Sequence, residues 1–137
     1  MSAATETIAR AIIRDHGRLL VARERGKTRT FLPGGHVEPV ESALIRELAE
    51  ELGTAGRITA FAGVIEHRYT DRGNAHHEIN LIFDAELDAT PSSQQDHLEF
   101  DWLPIDQIDT TDLRPSALKA LIASGNTSFW HSWSDDK

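Results

Sequence analysis

The stretch Gly34-Gly35-His36-Val37-Glu38-Pro39-Val40-Glu41-Ser42-Ala43-Leu44-Ile45-Arg46-Glu47-Leu48-Ala49-Glu50-Glu51-Leu52-Gly53 constrains the fold more than any other part of the chain. It follows a breaker, Pro33-Gly34-Gly35, and ends on Gly53, a residue suited to the left-handed position that closes a helix. From Ser42 to Leu52 the spacing is helical. With Leu44 at zero and about 100° per residue, Leu44, Leu48, Leu52, Ile45 and Ala49 fill an apolar arc of about 140°. Glu47, Glu50 and Glu51 fall together on the other side, at about 240–340°. They repel one another at i, i+3 and i+4, and no lysine or arginine lies four residues further on to relieve them. Arg46 is the one cation of the helix.

Around this helix the pattern is mostly strand. Thr7 to Arg14 and Arg18 to Glu24 read as a hairpin about the turn Asp15-His16-Gly17. Ile58 to Thr70 and His76 to Leu87 read as a second, longer hairpin about Asp71-Arg72-Gly73-Asn74. Leu98 to Leu103 is a further strand, and Pro115 to Ala123 a second helix with proline in its first turn. Strands and helices alternate with hairpins, so the layout is mixed α and β. No repeat, linker or low-complexity segment interrupts it, and 137 residues suit a single domain spanning 1–137.

Composition excludes several classes. The chain has no cysteine, so disulfides, thiolate nucleophiles and cysteine-ligated zinc or iron–sulfur centres are out. With 39% hydrophobic and 26% charged residues it reads as an ordinary globular chain. No apolar run approaches the roughly 20 residues of a membrane helix. The start, Met1 to Thr7, lacks the basic region and apolar core of a secretory signal, so a cytoplasmic location is expected. The net charge is −8, but it is uneven: +4 up to Arg29 and −12 beyond. A stable nucleic-acid complex is disfavoured, because phosphate contacts need a broad basic face. A small anion held between the basic N-terminal patch and a metal on acidic groups remains open.

Three glutamates on a surface helix are ordinarily a solvated acidic face. Here they follow a Gly-Gly turn that lets a backbone carbonyl approach the same point, and Arg46 precedes them in fixed order. Oxygen-only donors of this kind suit Mg²⁺ or Mn²⁺. The segment resembles the signature of the Nudix (MutT-like) hydrolases, G-x5-E-x7-R-E-U-x-E-E-x-G-U, with U aliphatic. Arg46-Glu47-Leu48-Ala49-Glu50-Glu51-Leu52-Gly53 matches its second half position by position, with Thr54 in place of the last aliphatic residue. Leu32-Pro33-Gly34-Gly35-His36-Val37-Glu38-Pro39 is similar to the usual approach, and Phe100-Asp101-Trp102-Leu103-Pro104 also fits. One departure stands: Glu41 to Arg46 leaves four residues where the family has seven. If the gap follows Glu41, then Glu41 is the box glutamate. If it lies between Pro39 and Val40, Glu41 belongs to the first helical turn. A true deletion and an omitted loop between Pro39 and Ser42 give the same spacing.

The resemblance implies an α+β fold, an α/β/α sandwich whose mixed, partly antiparallel sheet carries the box as loop–helix–loop. It implies Mg²⁺- or Mn²⁺-dependent attack of water on the diphosphate of a small nucleotide, either a nucleoside diphosphate linked to a group X or a nucleoside triphosphate. Glu50 and Glu51 would be primary ligands, Glu47 a ligand or the general base, and the Gly35 carbonyl a further ligand. Arg46 would orient a glutamate. A further acid is often drawn from across the cleft; Glu99 is preferred over Asp96 and Glu78. Arg23, Arg25, Lys27 and Arg29 could hold phosphates or form a solvated loop tip. His76 and His77 point to opposite faces of a strand and do not suggest zinc. Phe129, Trp130 and Trp133 could stack on a base or pack the C-terminal tail. A homodimer is common among such proteins. The shortened box keeps open a nucleotide-binding sensor without turnover, and an isomerase on the same fold is a third reading.

Overall fold

The computed structural model describes residues 4–36, 40–124 and 129–134. Its strands are β1 (Thr5–Asp15), β2 (Arg18–Glu24), β3 (Thr30–Phe31), β4 (Gly34–His36), β5 (Gly56–Asp71), β6 (Asn74–Leu87), β7 (Leu98–Pro104) and β8 (Phe129–Ser134). The helices are α1 (Val40–Leu52) and α2 (Leu118–Ser124), with a 3₁₀ turn at Ile105–Thr110. The Pro39–Val40 junction lies outside the described residues.

β1 organises the sheet. One edge runs parallel to β6 from Thr5↔His77 to Ile13↔Ala85. The other carries β4 antiparallel, from Ile8↔His36 to Arg10↔Gly34, and Ala11 N–H donates to the Pro33 carbonyl at 3.0 Å. A strand edge pairs with one neighbour at a time, so the expected β1–β2 hairpin survives only at its tip, Arg14↔Leu19 and Asp15↔Arg18. β2 turns away and pairs instead along its whole length with β7. The β5–β6 hairpin pairs from Asp71↔Asn74 to Gly56↔Leu87, its register shifting by one residue near Ala62 and again near Thr59. β8 adds in parallel to β5. The sheet is therefore mixed, and the Nudix-like α+β expectation stands.

Alternation along the strands sends side chains to two cores. Ala9, Ala11, Ile13, Leu20, Phe83 and Ala85 pack with Leu44, Leu48 and Leu52 of α1. Ile12, Leu19, Val21, Ile65 and Ile82 pack with Leu118, Leu121 and Ile122 of α2. One helix thus covers each face. Gly53, at φ +69°, closes α1 by donating to the Ala49 carbonyl at 3.0 Å. The N–H groups of Ser92 and Gln94 cap the Leu52 and Glu51 carbonyls, both at 2.9 Å.

Three expectations change. The second helix begins at Leu118, because Pro115 to Ala117 form a turn in which Leu118 N–H reaches the Pro115 carbonyl. Gly34 and Gly35, read as part of the breaker Pro33-Gly34-Gly35, belong with His36 to a short strand. The buried arc of α1 is also rotated: Ala49 is exposed, whereas Glu51 is only 8% exposed. Leu48→Ala should cost about 2–5 kcal/mol, because Leu48 is fully enclosed and its loss leaves a cavity; chemical denaturation measures it directly.

Candidate active site

Rotation of α1 turns two of the three glutamates toward the sheet. The Glu51 carboxylate accepts from the Gly34 N–H of β4 and feels the charge of Arg10. A Cβ built on Gly35 would lie 3.4 Å from the Glu47 carboxylate carbon, so Glu47 rests against the bare backbone of that glycine. A Cβ on Gly34, whose φ is +146°, would collide with the Ala9 carbonyl oxygen. The two glycines thus let the strand lie tight on β1 and leave space for the carboxylates. Glu50 is exposed, with Arg46 Nε 3.9 Å away, a loose ion pair across one turn. Glu41 is exposed in the first turn of α1. Burial, reinforced by neighbouring Glu47, pushes the Glu51 carboxyl up to about 7 despite the Gly34 N–H and Arg10.

Arg10 was not singled out from the sequence. It occupies an inward position of β1, on the same side as Ile12, where an apolar residue would be the rule. Its Nη1 donates to the Leu32 carbonyl at 2.9 Å and its Nε to Asn80 Oδ1 at 3.3 Å. The guanidinium carbon lies 5.7 Å from the centre of the Phe31 ring. Burial lowers its pKa, opposed by Glu78 and Glu51, so a single cation stands within electrostatic reach of both carboxylates.

Glu78, on β6, is 9% exposed. The Tyr69 hydroxyl donates to its Oε2 at 3.1 Å, Asn80 Nδ2 lies 3.5 Å from Oε1, and His67 Nδ1 lies 3.8 Å from Oε1. Burial alone would raise the Glu78 carboxyl. The His67 imidazole, the Arg10 charge and the Tyr69 hydroxyl outweigh it, so the group is held below the usual carboxylate range. Burial, reinforced by the proximity of Glu78, pushes the Tyr69 hydroxyl up to about 12. His67, Tyr69 and His76 form an aromatic ladder with centroid spacings of 4.8 and 4.7 Å.

Arg10, Glu78, His67 and Tyr69 line a cleft of about 800 Å³ whose rim includes Lys27, Arg29, Arg72 and Arg114. A smaller cavity of about 520 Å³ lies beside Arg14 and Trp102, and the α1 glutamates line neither space. Of the acids weighed for the far side of the cleft, Glu78 is the one at its floor. Glu99, preferred from the sequence, has its Oε2 3.4 Å from Arg23 Nη2, on the face of β7 opposite Phe100 and Trp102, which pack on the α1 side. Arg23 also pairs with Asp101 at 3.2 Å. Arg25 Nε donates to the Asp96 carbonyl at 2.8 Å, tying the loop before β7 to β2. Arg29 is therefore the member of the predicted basic trio, Arg23, Arg25 and Arg29, that faces the cleft. The side chains of Phe129, Trp130 and Trp133 lie outside the described residues. Among the described residues, no three His, Asp or Glu side chains converge closely enough to hold a metal as they stand.

The raised Glu51 carboxyl carries a sign. Below about pH 4.5 both folded and unfolded states are protonated there. Between about 4.5 and 7 only the unfolded chain releases the proton, so stability falls as pH rises and the loss is complete above 7. Glu51→Gln should therefore stabilise the metal-free protein at about pH 8, on the order of 1–3 kcal/mol, and leave it nearly unchanged at about pH 4. Thermal melts at the two pH values measure the difference.

The NUDIX domain profile matches residues 5–123. No curated protein matches the chain in sequence. Among solved structures, a MutT NUDIX hydrolase from Burkholderia pseudomallei is 27% identical over 76% of this chain and 86% of that one, with a TM-score of 0.66. A NUDIX hydrolase from Nitrosomonas europaea is 20% identical, covers 91% and 93%, and superposes with a TM-score of 0.73. An ADP-ribose pyrophosphatase from Streptococcus suis is 15% identical, covers 95% and 98%, and has a TM-score of 0.66, a likeness of fold alone. With a profile match across nearly its whole length, the chain belongs to the Nudix family of hydrolases.

Proposed function

We propose that this Nudix hydrolase is a single-domain, Mg²⁺- or Mn²⁺-dependent pyrophosphohydrolase of a small nucleotide, either a nucleoside triphosphate or a nucleoside diphosphate linked to another group. One observation carries the reading. Glu47 and Glu51 are turned from solvent onto the glycine strand, and Arg10 links that corner electrostatically to a cleft with a basic rim. A buried carboxylate pushed up to about 7 by burial and a like-charged neighbour is a site that a divalent cation relieves. The donor set is oxygen-only, which suits a hard ion.

In this reading Glu47, Glu50 and Glu51, with the Gly35 carbonyl, would hold the metal. When bound, the metal supplies charge neutralisation on the phosphoryl oxygens and a water of lowered pKa. Arg29, with Lys27, draws the phosphates into the cleft. Arg46 restrains Glu50 across one helical turn. Glu78, held ionised by Arg10, His67 and Tyr69, is a poor proton acceptor, which leaves the base role to a glutamate of α1. The site suits small nucleotides in a reducing cytoplasm, where a chain without cysteine meets no handicap, and a homodimer is compatible with it. The shortened box favours a second reading, a nucleotide-binding sensor without turnover.

The deciding experiment is a product assay with and without Mg²⁺ on nucleoside triphosphates, ADP-ribose, other nucleotide sugars and dinucleoside polyphosphates. Metal-dependent phosphate products are expected; binding without products from folded protein supports the sensor. Glu51→Gln should lower kcat by about two orders of magnitude or more with the fold retained, and near-normal turnover would overturn the metal assignment. Arg29→Ala should raise KM several-fold with little change in kcat, as expected when a contact contributes equally to substrate and transition state.

A further inference from the structure

The cleft is long, because it follows one face of the β5–β6 hairpin, where His67 lies opposite Glu78, Tyr69 opposite His76 and Asp71 opposite Asn74. Its inner end is at Arg10, which stands opposite Gly34 of β4 on one side and Ile82 of β6 on the other. Its outer end is the turn Arg72-Gly73. From Ile82 to Asn74, which closes that turn, is eight residues, roughly 25 Å of strand. Even with the Arg72 side chain laid back along the cleft, a diphosphate held at the glycine strand does not reach it.

Most cations around the cleft are already answered by protein. Lys27 pairs with Glu24 at 2.9 Å and Arg114 with Asp112 at 2.6 Å. Arg10 donates to Asn80 and to the Leu32 carbonyl. Arg29 and Arg72 have no hydrogen-bond or ion-pair partner among the described residues. Arg29 belongs to the inner end, since Phe31, two residues on, lies under the Arg10 guanidinium. Arg72 is at the outer end, where Asp71 precedes it without pairing. The β1–β2 tip, Asp15-His16-Gly17-Arg18, shows the other outcome: His16 Nδ1 is 2.5 Å and Arg18 Nη2 3.3 Å from the Asp15 carboxylate. Arg72 has φ +52° and Gly73 +78°, as a type I′ turn requires, and asparagine or glycine suits the first of these positions better than arginine does.

We propose that Arg72 is a specificity-determining residue that binds a second anionic group, carried by the substrate at the end remote from the diphosphate under attack. The assignment rests on the proposed binding of that diphosphate at the α1 glutamates, and it narrows the substrate class. A nucleoside triphosphate has its charge at the inner end and leaves Arg72 unused. A nucleoside diphosphate linked to another group is longer, and a phosphate or carboxylate at its far end meets a fork of N–H donors that suits either oxyanion.

Three matched pairs differ by such a group: UDP-glucuronic acid and UDP-glucose, NADP⁺ and NAD⁺, coenzyme A and dephospho-coenzyme A. Affinities are measured by titration calorimetry with Ca²⁺ in place of Mg²⁺ to hold back turnover, and turnover is measured separately with Mg²⁺. In at least one pair the anionic member should bind about three- to tenfold more tightly. Arg72→Asn removes the charge and suits the left-handed turn, so the fold is kept; it should bring that pair to equality and leave the neutral member's affinity unchanged. Arg72→Lys, which keeps the charge but loses the fork, should retain part of the preference. Equal affinity within every pair, a preference that survives Arg72→Asn, or no binding of any of the six at millimolar concentration overturns the assignment. Preference without turnover upholds Arg72 and sinks the hydrolase reading; turnover without preference does the reverse.

Discussion

The close seating of the Gly34–Gly35 strand on β1 is the constraint on which the rest of the site depends. Register places Gly34 opposite Arg10 and Gly35 opposite Ala9, and a side chain at Gly34 would strike the Ala9 carbonyl. Because the strand is bare, Glu51 can take its N–H and Glu47 can lie against it. A second consequence is electrostatic. With no intervening side chain at that register position, Arg10 balances the charge of Glu51 on one side and of Glu78 on the other. In a low-dielectric setting one such cation matters to both carboxylates, since leaving either unopposed would cost far more than at the surface.

The fold serves this arrangement by dividing labour between the two faces of one sheet. On the α1 face, short and long apolar residues alternate to seat a helix that also carries the acidic face. On the α2 face, the apolar core around Ile12, Ile65 and Ile82 gives way along the same strands to Arg10, Asn80, Glu78 and His67. Core and cleft floor are thus successive positions on the same strand faces. This explains a polar network that is nearly enclosed yet satisfied: each member is fixed by a strand whose neighbouring residues are packed.

Much of the fold was legible from local signals. Alternation located β1, β2, β5, β6 and β7, and turn residues separated them; helical spacing with a closing glycine located α1. The 3₁₀ turn at Ile105–Thr110, β4 and β8 were not legible, because short segments take their structure from neighbours and leave little periodicity. The candidate site divided in the same way. The three glutamates of α1 stood out through spacing, but their burial did not: a helical wheel gives angular order without fixing which arc meets the sheet. Glu78 was one candidate among several, and Arg10 was passed over as one cation in a basic stretch. The available sign was its parity with Ile8 and Ile12 in β1, an inward position.

Sequence by itself determined the family, the order of the longer strands and of the two helices, and the acidic face of α1, because these depend on residue type and near-neighbour spacing. Tertiary structure decided which charges meet. It gave Glu99 to Arg23 and Arg25 to the Asp96 carbonyl, and it brought Arg10, from one end of the domain, between Glu51 and Glu78. Those partnerships join residues 41 to 76 positions apart. No local pattern encodes them, because they arise only when β2 pairs with β7 and when β1 pairs with β4 on one edge and β6 on the other.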